Sequence, residues 1–320
     1  MKNAYLGLDV GSVSTNLVVL DEDNQVLAAK YLRTNGRPIQ TVQEGIQIIG
    51  REIANHVKIV GCGTTGSARY LSGLIIGADI VKNEITAHAI AAAHEINDVR
   101  TIIEIGGQDS KIIILRDGIV TDFAMNTVCA AGTGSFLDQQ ASRLCIPIEE
   151  FGGYALNAAQ PVRIAGRCAV FAESDMIHKQ QLGHNLEDII AGLCEALVRN
   201  YMNNVGKGKE ILAPVVFQGG VAANLGLVQA FNKYLDLEVI VPQNYGVMGA
   251  IGAAHLAREA TRKKGTTSFK GFDLERIVFR TTSFECQGCS NACEVVQFFE
   301  NKTAIARWGD RCGKWDLQVG

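Results

Sequence analysis

Short apolar runs alternate with polar turns along the chain, and the pattern repeats. Near the start, YLGLDVGSVSTNLVVLDEDNQVLAAKY reads as an apolar strand, an acid, one apolar residue, a glycine, a short polar turn and two further strands. From Thr101, TIIEIGGQDSKIIILRDGIVTDFAM follows the same plan, so that Asp9 matches Glu104 and Gly11 matches Gly106. DEDNQ and RDG supply turn residues between strands, as hairpins require. Two segments on one plan predict a duplicated α/β domain, each half a sheet flanked by helices.

Helical periodicity follows each hairpin unit, in EITAHAIAAAHEI from Glu84, GSFLDQQASRL, CAVFAESDMIHKQQ and LEDIIAGLCEALVRNYMNNV. APVVFQGG reads as a strand running into the helix VAANLGLVQAFNKYL, and EVIVP as a further strand. GVMGAIGAAHLAREATRKK is a helix of small residues suited to close packing. From Gly265 the character changes: TTSFKGF reads as a linker ahead of a cysteine-rich end. The predicted divisions are a first lobe over 1–100, a second over 101–264 whose last helix packs back on the first, and a C-terminal extension over 265–320.

Composition narrows the partners. A chain of 320 residues, 47% hydrophobic and 20% charged, can form two ordinary domains with a sizeable core. A net charge of -3 leaves no electrostatic footprint for nucleic acid, and the basic cluster Arg262–Lys264 reads as a solvated helix end. The start MKNAYLGLDV has no signal-peptide pattern, and no apolar run approaches the roughly 20 residues of a spanning helix. A cytoplasmic protein without membrane or nucleic-acid partners is expected. Its nine cysteines then call for metal or redox chemistry, because cytosolic thiols are kept reduced. Cys62, Cys129, Cys145, Cys168 and Cys194 are scattered, whereas Cys286, Cys289, Cys293 and Cys312 crowd the tail.

Three glycine turns fall at strand ends: DVGSVST from Asp9, EIGGQDSK from Glu104 and QGGVAAN from Gln218. Glycine lets a backbone approach phosphate oxygens, and Ser, Thr and main-chain N–H groups add donors without bulk. Asp9 and Asp109 are placed to hold magnesium through water. The pattern predicts a nucleotide between two lobes; GxxxxGK[ST] is absent, so this is not a P-loop protein.

The paired DxG turns and the later GG turn resemble the superfamily of sugar kinases, actin and heat-shock chaperone ATPases, with ribonuclease H-like lobes. Within it, LGLDVGS, EIGGQDSK, CAAGTGSFLD, RCAVFAESD, QGGVAAN and GAIGAA, from about Tyr5 to Ala257, resemble one family. That family is the ATP-dependent activases of 2-hydroxyacyl-CoA dehydratases, related to the ATPase subunits of benzoyl-CoA reductases. The resemblance implies a homodimer with one [4Fe-4S] cluster between its subunits. It also implies Mg2+-dependent hydrolysis of ATP to ADP while an electron passes from a ferredoxin- or flavodoxin-type donor to an iron-sulfur acceptor protein. In that reading Asp9, Gln108 and Asp109 position magnesium and water. Gly11, Ser12, Ser14, Thr15, Gly106, Gly107 and Lys111 approach the phosphates, Gly219, Gly220 and Asn224 lie on the adenosine side, and Gly132, Thr133, Gly134 and Gly249 complete the cofactor-binding turns. One departure stands out: the family shows DxGSTxxK, and here Val13 and Asn16 replace the threonine and lysine, so Lys111 is expected to carry more of the phosphate charge.

Cys129 and Cys168 each precede a predicted helix. A thiolate-held cluster is an anion, which N–H groups at helix N-termini stabilise as they would phosphate. The resemblance makes these residues the cluster ligands, two per chain, with a two-fold axis supplying the other pair. Lobe closure on ATP would then shift the helices that bear them. Cys62, Cys145 and Cys194 are expected to be ordinary core cysteines. Glu84 and His88, one helical turn apart, read as a structural polar pair facing the cleft, or as a metal or acid/base pair.

The tail gives C-x2-C-x3-C-x18-C around a predicted hairpin with the turn ENKT. This spacing suits a structural zinc site or a second [4Fe-4S] cluster, against a bland reading of four unligated thiols. Short activases end before this segment; longer relatives carry a similar extension, and some pair with double-cubane cluster proteins. A small-molecule kinase, or a non-redox ATPase with structural zinc, is the alternative on the same fold.

Overall fold

The computed structural model describes residues 1–53, 55–315 and 317–318. Strands β1 (Lys2–Val10), β2 (Ser14–Asp21) and β3 (Val26–Arg33) form an antiparallel meander. After helix α1 (Pro38–Ile53), strand β4 (Val57–Thr65) returns parallel to β1, and α2 (Arg69–Ile76), β5 (Ile80–Val81) and α3 (Glu84–Glu95) close the first lobe. The second lobe repeats the plan with β6 (Thr101–Ile105), β7 (Ser110–Arg116) and β8 (Ile119–Asn126). Helices α4 (Gly134–Arg143), α5 (Ile148–Leu156), α6 (Ala169–Gln181) and α7 (Leu186–Asn204) intervene before β9 (Val215–Gln218), α8 (Leu225–Leu235) and β10 (Val239–Ile240). The sheet orders, β3-β2-β1-β4-β5 and β10-β9-β6-β7-β8, are mirror copies in sequence numbering. Asp9 and Glu104 each stand one residue before the end of their lobe's first strand.

Strands β6 and β7, TIIEI and SKIIILR, are almost continuously apolar because helices cover both faces of the sheet. Phe136, Phe151, Phe217 and Phe231 fill the second-lobe core, and Leu6, Leu17, Ile46 and Ile75 the first. A third cluster, with Val18, Ile102, Ile113, Val216 and Ile251, joins the lobes.

Helix α9 (Met248–Lys264) packs on β1, β4 and α3 at backbone distance. A methyl group on Gly7 would collide with the Ala250 carbonyl oxygen, one on Gly63 with that of Ala253, and one on Gly252 with that of Ala87. The small-residue composition of α9 is the sequence signature of that contact. Among the described residues no helix is long and apolar enough to cross a membrane.

The C-terminal extension forms an antiparallel sheet of β11 (Phe279–Glu285), β12 (Glu294–Glu300), β13 (Thr303–Trp308) and β14 (Leu317–Gln318), with Asn301 and Lys302 turning β12 into β13. The segment read as a linker is no free tether. The Asp79 carboxylate accepts from Thr267 Oγ1 and the Ser268 N–H, both at 2.7 Å, and Phe272 seats against Gly50 of α1. Leu274, Phe298 and Ala306 are buried in the first-lobe core. Aromatic Phe269 and Phe272 hold the segment down where a linker would be polar.

Candidate functional site

The β1–β2 and β6–β7 turns face each other across a cleft of about 240 Å³. Both close with the same hydrogen bond, Gly11 N–H to the Ser14 carbonyl at 2.8 Å and Gly106 N–H to the Asp109 carbonyl at 3.0 Å. Asp9, Gly11, Ser12, Ser14, Asn16, Gly106, Gly107, Gln108, Asp109, Lys111, Gly219, Gly220 and Gly249 line it. A larger chamber of about 590 Å³ adjoins it, sharing Val13, Tyr31, Gly107 and Gly220 and reaching Gly134 and Asn224. Asn224 also caps α8, its Oδ1 accepting from the Leu227 N–H at 3.1 Å.

Three residues expected at the nucleotide lie elsewhere. Thr15 points away from the cleft, its hydroxyl 3.0 Å from that of Thr34, because successive residues of β2 alternate faces and Ser14 and Asn16 take the cleft side. Thr133 turns its hydroxyl to the Ala130 carbonyl at 2.9 Å, and Gly132 is buried against Asn200. Gly249 gives Asp9 room: a side chain there, or on Gly66 opposite, would displace the carboxylate. Gly66, Tyr31, Ser67 and Tyr245 were missed by sequence reasoning; they come from other elements and carry no local motif.

Three acids surround one lysine. Lys111 Nζ stands 2.8 Å from Glu104, 2.9 Å from Asp109 and 3.5 Å from Glu84. Burial alone would lower the lysine, but Glu104, Asp109 and Glu84 hold it above its ordinary value. At 2% exposure, Lys111 lines the cleft and compensates the carboxylates around it. Burial, then Glu84, raises Asp9 to about 7, and burial likewise raises Glu104 to about 7 against the pull of Lys111. His88 is lowered to about 3 by burial and by Lys111, so it is neutral, and its Nδ1 accepts from Gln218 Nε2 at 2.8 Å. Glu84 and His88 thus each have a partner of their own.

This acid-rich cleft suits a magnesium ion on one or two carboxylates, with water and phosphate completing the shell. Among the described residues no three His, Cys, Asp or Glu side chains converge as a ready-made cage. Asp9 and Asp109 are the carboxylates placed to hold it.

Cys129 and Cys168 lie at one end of the second lobe, both half-buried. Cys168 caps α6, as expected, whereas Cys129 caps the short 3-10 turn Ala130–Gly132. The α4 N-terminus faces away from it: the Gly134 and Ser135 N–H groups donate to the Gly106 and Gly107 carbonyls at 2.9 and 2.8 Å. The nucleotide turn and the Cys129 turn are therefore bonded through α4. Asn126 fixes the thiol loop, accepting from the Cys129 N–H at 2.9 Å and donating to its carbonyl at 2.8 Å. From α7, Asn200 Nδ2 donates to the Gly166 carbonyl at 2.6 Å beside Cys168, and lies 3.9 Å from Cys129 Sγ.

Cys62 and Cys194 are buried core thiols, both pushed up to about 12 by burial. Cys145, expected in the core, is exposed, because it ends α4 in the left-handed region at φ 55°. The tail thiols gather at one end of the small sheet without meeting at a shared centre.

Duplicated lobes around a polar cleft define the class: ATPases of the actin and hexokinase fold. The model of the BadF/BadG/BcrA/BcrD ATPase family matches residues 6–257, and the chain belongs to that family. It is 32% identical over 265 residues to the 2-hydroxyisocaproyl-CoA dehydratase activator of Clostridioides difficile, covering 81% of this chain and 96% of the relative. It is also 32% identical over 266 residues to the (R)-2-hydroxyglutaryl-CoA dehydratase activating ATPase of Acidaminococcus fermentans, covering 81% and 98%. The solved structure of the C. difficile activator, with bound ADPNP, aligns at TM-score 0.74 over 82% of this chain and 97% of that one. The ethanolamine utilization protein EutJ of Carboxydothermus hydrogenoformans, 18% identical over 78% of this chain and 89% of that one, shares the fold at TM-score 0.52.

Proposed function

We propose that the protein is an ATP-dependent reductive activase, a homodimer that couples ATP hydrolysis to one-electron transfer toward an iron-sulfur acceptor. Its relatives' roles as dehydratase activators support an acceptor of the 2-hydroxyacyl-CoA dehydratase class; a double-cubane acceptor, a ferredoxin- or flavodoxin-type donor and a cytoplasmic location belong to the same reading. The carrying observation is the bonded path from the Gly106–Gly107 turn through α4 to Cys129.

In this reading the β1–β2 and β6–β7 turns hold the ATP phosphates, Asp9 and Asp109 hold magnesium, and Gln108 orients water at the cleft mouth. A shift of the Gly106–Gly107 turn during hydrolysis moves α4 and the Cys129 loop with it, and Asn200 carries the motion to the Cys168 loop. Cys129 and Cys168 from each of two chains would hold a [4Fe-4S] cluster, which supplies one-electron chemistry when bound. Val128, Val170 and Phe171, 94%, 68% and 65% exposed beside these cysteines, form an apolar rim suited to the two-fold contact. Raising an electron costs about 1.4 kcal/mol for each 59 mV, which ATP hydrolysis offsets.

Anaerobically purified protein should be a brown dimer whose visible absorption bleaches with dithionite, and should pass electrons to an iron-sulfur acceptor only with Mg-ATP. A colourless protein without iron, or one that phosphorylates a sugar or acid hydroxyl, would refute the reading.

A further inference from the structure

The matched family segment ends at residue 257, so the cysteine-rich sheet lies outside it. Its β12–β13 turn is at one end, which places the β11–β12 loop and the β13–β14 connection together at the other. All four tail cysteines fall in those two connections: Cys286 directly follows β11, Cys293 directly precedes β12, Cys289 lies between them and Cys312 follows β13.

The Cys286 N–H donates to the Cys293 carbonyl at 2.8 Å, extending the β11–β12 register one step beyond the Glu285–Glu294 pair. Opposed residues of antiparallel strands leave the same face with Cβ atoms about 4.5–5.5 Å apart. Cys286 Sγ accepts from the Gly288 N–H at 3.4 Å and from Trp315 Nε1 at 3.1 Å. These bonds suit a thiolate ligand, and Trp315 ties the Cys312 connection to the Cys286 loop. Cys289 and Cys312 are exposed, with Cys312 Sγ turned toward Asp310 Oδ2 at 3.5 Å, so both thiols are accessible to an incoming metal ion.

We propose that Cys286, Cys289, Cys293 and Cys312 bind one zinc ion at the free end of this sheet. Tetrahedral zinc, with Zn–S bonds of about 2.3 Å, draws sulfurs to about 3.8 Å of one another, a span that strand-opposed Cys286 and Cys293 can meet. A cubane seats each thiolate on a separate iron and spreads them wider. Coordination to the ion, with release of the thiol protons, is what gathers the exposed pair. The site does not depend on the reductive-activase reading.

The test is metal and acid-labile sulfide analysis of full-length protein in a Cys129→Ala/Cys168→Ala background, where the proposed intersubunit cluster cannot form. About one zinc per chain is expected there. Zinc should fall at least fivefold on adding Cys286→Ser or Cys293→Ser and hold on adding Cys145→Ser. Iron with sulfide in that background, or zinc indifferent to Cys286→Ser, overturns the proposal. Should the serine variants fail to fold, Co2+ added to the zinc-stripped background protein decides: tetrahedral thiolate–cobalt absorption supports the site and its absence overturns it.

Discussion

The side-chain nitrogen of Asn200 stands 3.9 Å from the sulfur of Cys129. The same atom donates to the Gly166 carbonyl, so one buried amide holds together the loops of both cysteines proposed as ligands. Asn200→Leu leaves those loops without their tie and the half-buried Gly166 carbonyl without its donor. Stability should fall by about 1–3 kcal/mol in denaturant titrations, and iron content of anaerobic protein should drop with nucleotide affinity little changed.

Among the described residues, Lys111 is the cation set among Asp9, Glu84, Glu104 and Asp109. Removing one partner of a buried ionic cluster leaves uncompensated charge, so Lys111→Met should destabilise by about 3–5 kcal/mol. Glu104→Gln added to Lys111→Met should recover part of that loss. A Lys111→Met protein of normal stability would show that the cleft charges are balanced otherwise.

Asp9 and Glu104 are both raised to about 7, chiefly by burial. Folded protein therefore keeps protons that the unfolded chain releases near pH 4, and the associated stability is full at low pH and lost as pH rises through about 7. Nucleotide-free protein should lose stability from about pH 5 to 7. Magnesium competes with the Asp9 proton, so Mg-nucleotide affinity should rise over the same interval with proton release detectable by calorimetry in buffers of different ionisation enthalpy. Asp9→Asn should abolish hydrolysis and flatten that slope.

Neighbouring residues of β2 should separate by role. Ser14→Ala should weaken nucleotide binding with little change in stability, because Ser14 lines the cleft. Thr15→Val, next to it but bonded to Thr34, should reduce stability and leave nucleotide affinity near wild type.

Gly7 lies under the Ala250 carbonyl of α9. Gly7→Ala must push the helix off β1, and overpacking of this kind typically costs about 1–3 kcal/mol. Thermal unfolding of the variant measures it.

Much of this was legible because it is local. The duplicated strand plan, the acid at each first-strand end and the glycine turns are short-range patterns, and they place Asp9 and Glu104 at equivalent positions. What long-range packing decides was not. Tyr31, Gly66, Tyr245 and Asn200 reach their sites from other elements. The face taken by Thr15 followed from strand alternation that the glycine-turn motif overrode. The contacts of Lys111 with Glu104 and Asp109 also come from folding, not from its motif, and α4 looked like an anion site until its first amides proved to be bonded to Gly106 and Gly107.

The C-terminal sheet is fastened to the first lobe by Gln43 Nε2, which donates to the Leu274 and Ile277 carbonyls at 2.8 and 3.0 Å, while Cys129 and Cys168 ride on the second. A hinge between the lobes would therefore change the separation between the tail cysteines and the paired ones. A spin-label pair, one on each lobe, would read nucleotide state as a separation, making the appended sheet a pointer on the enzyme's own dial.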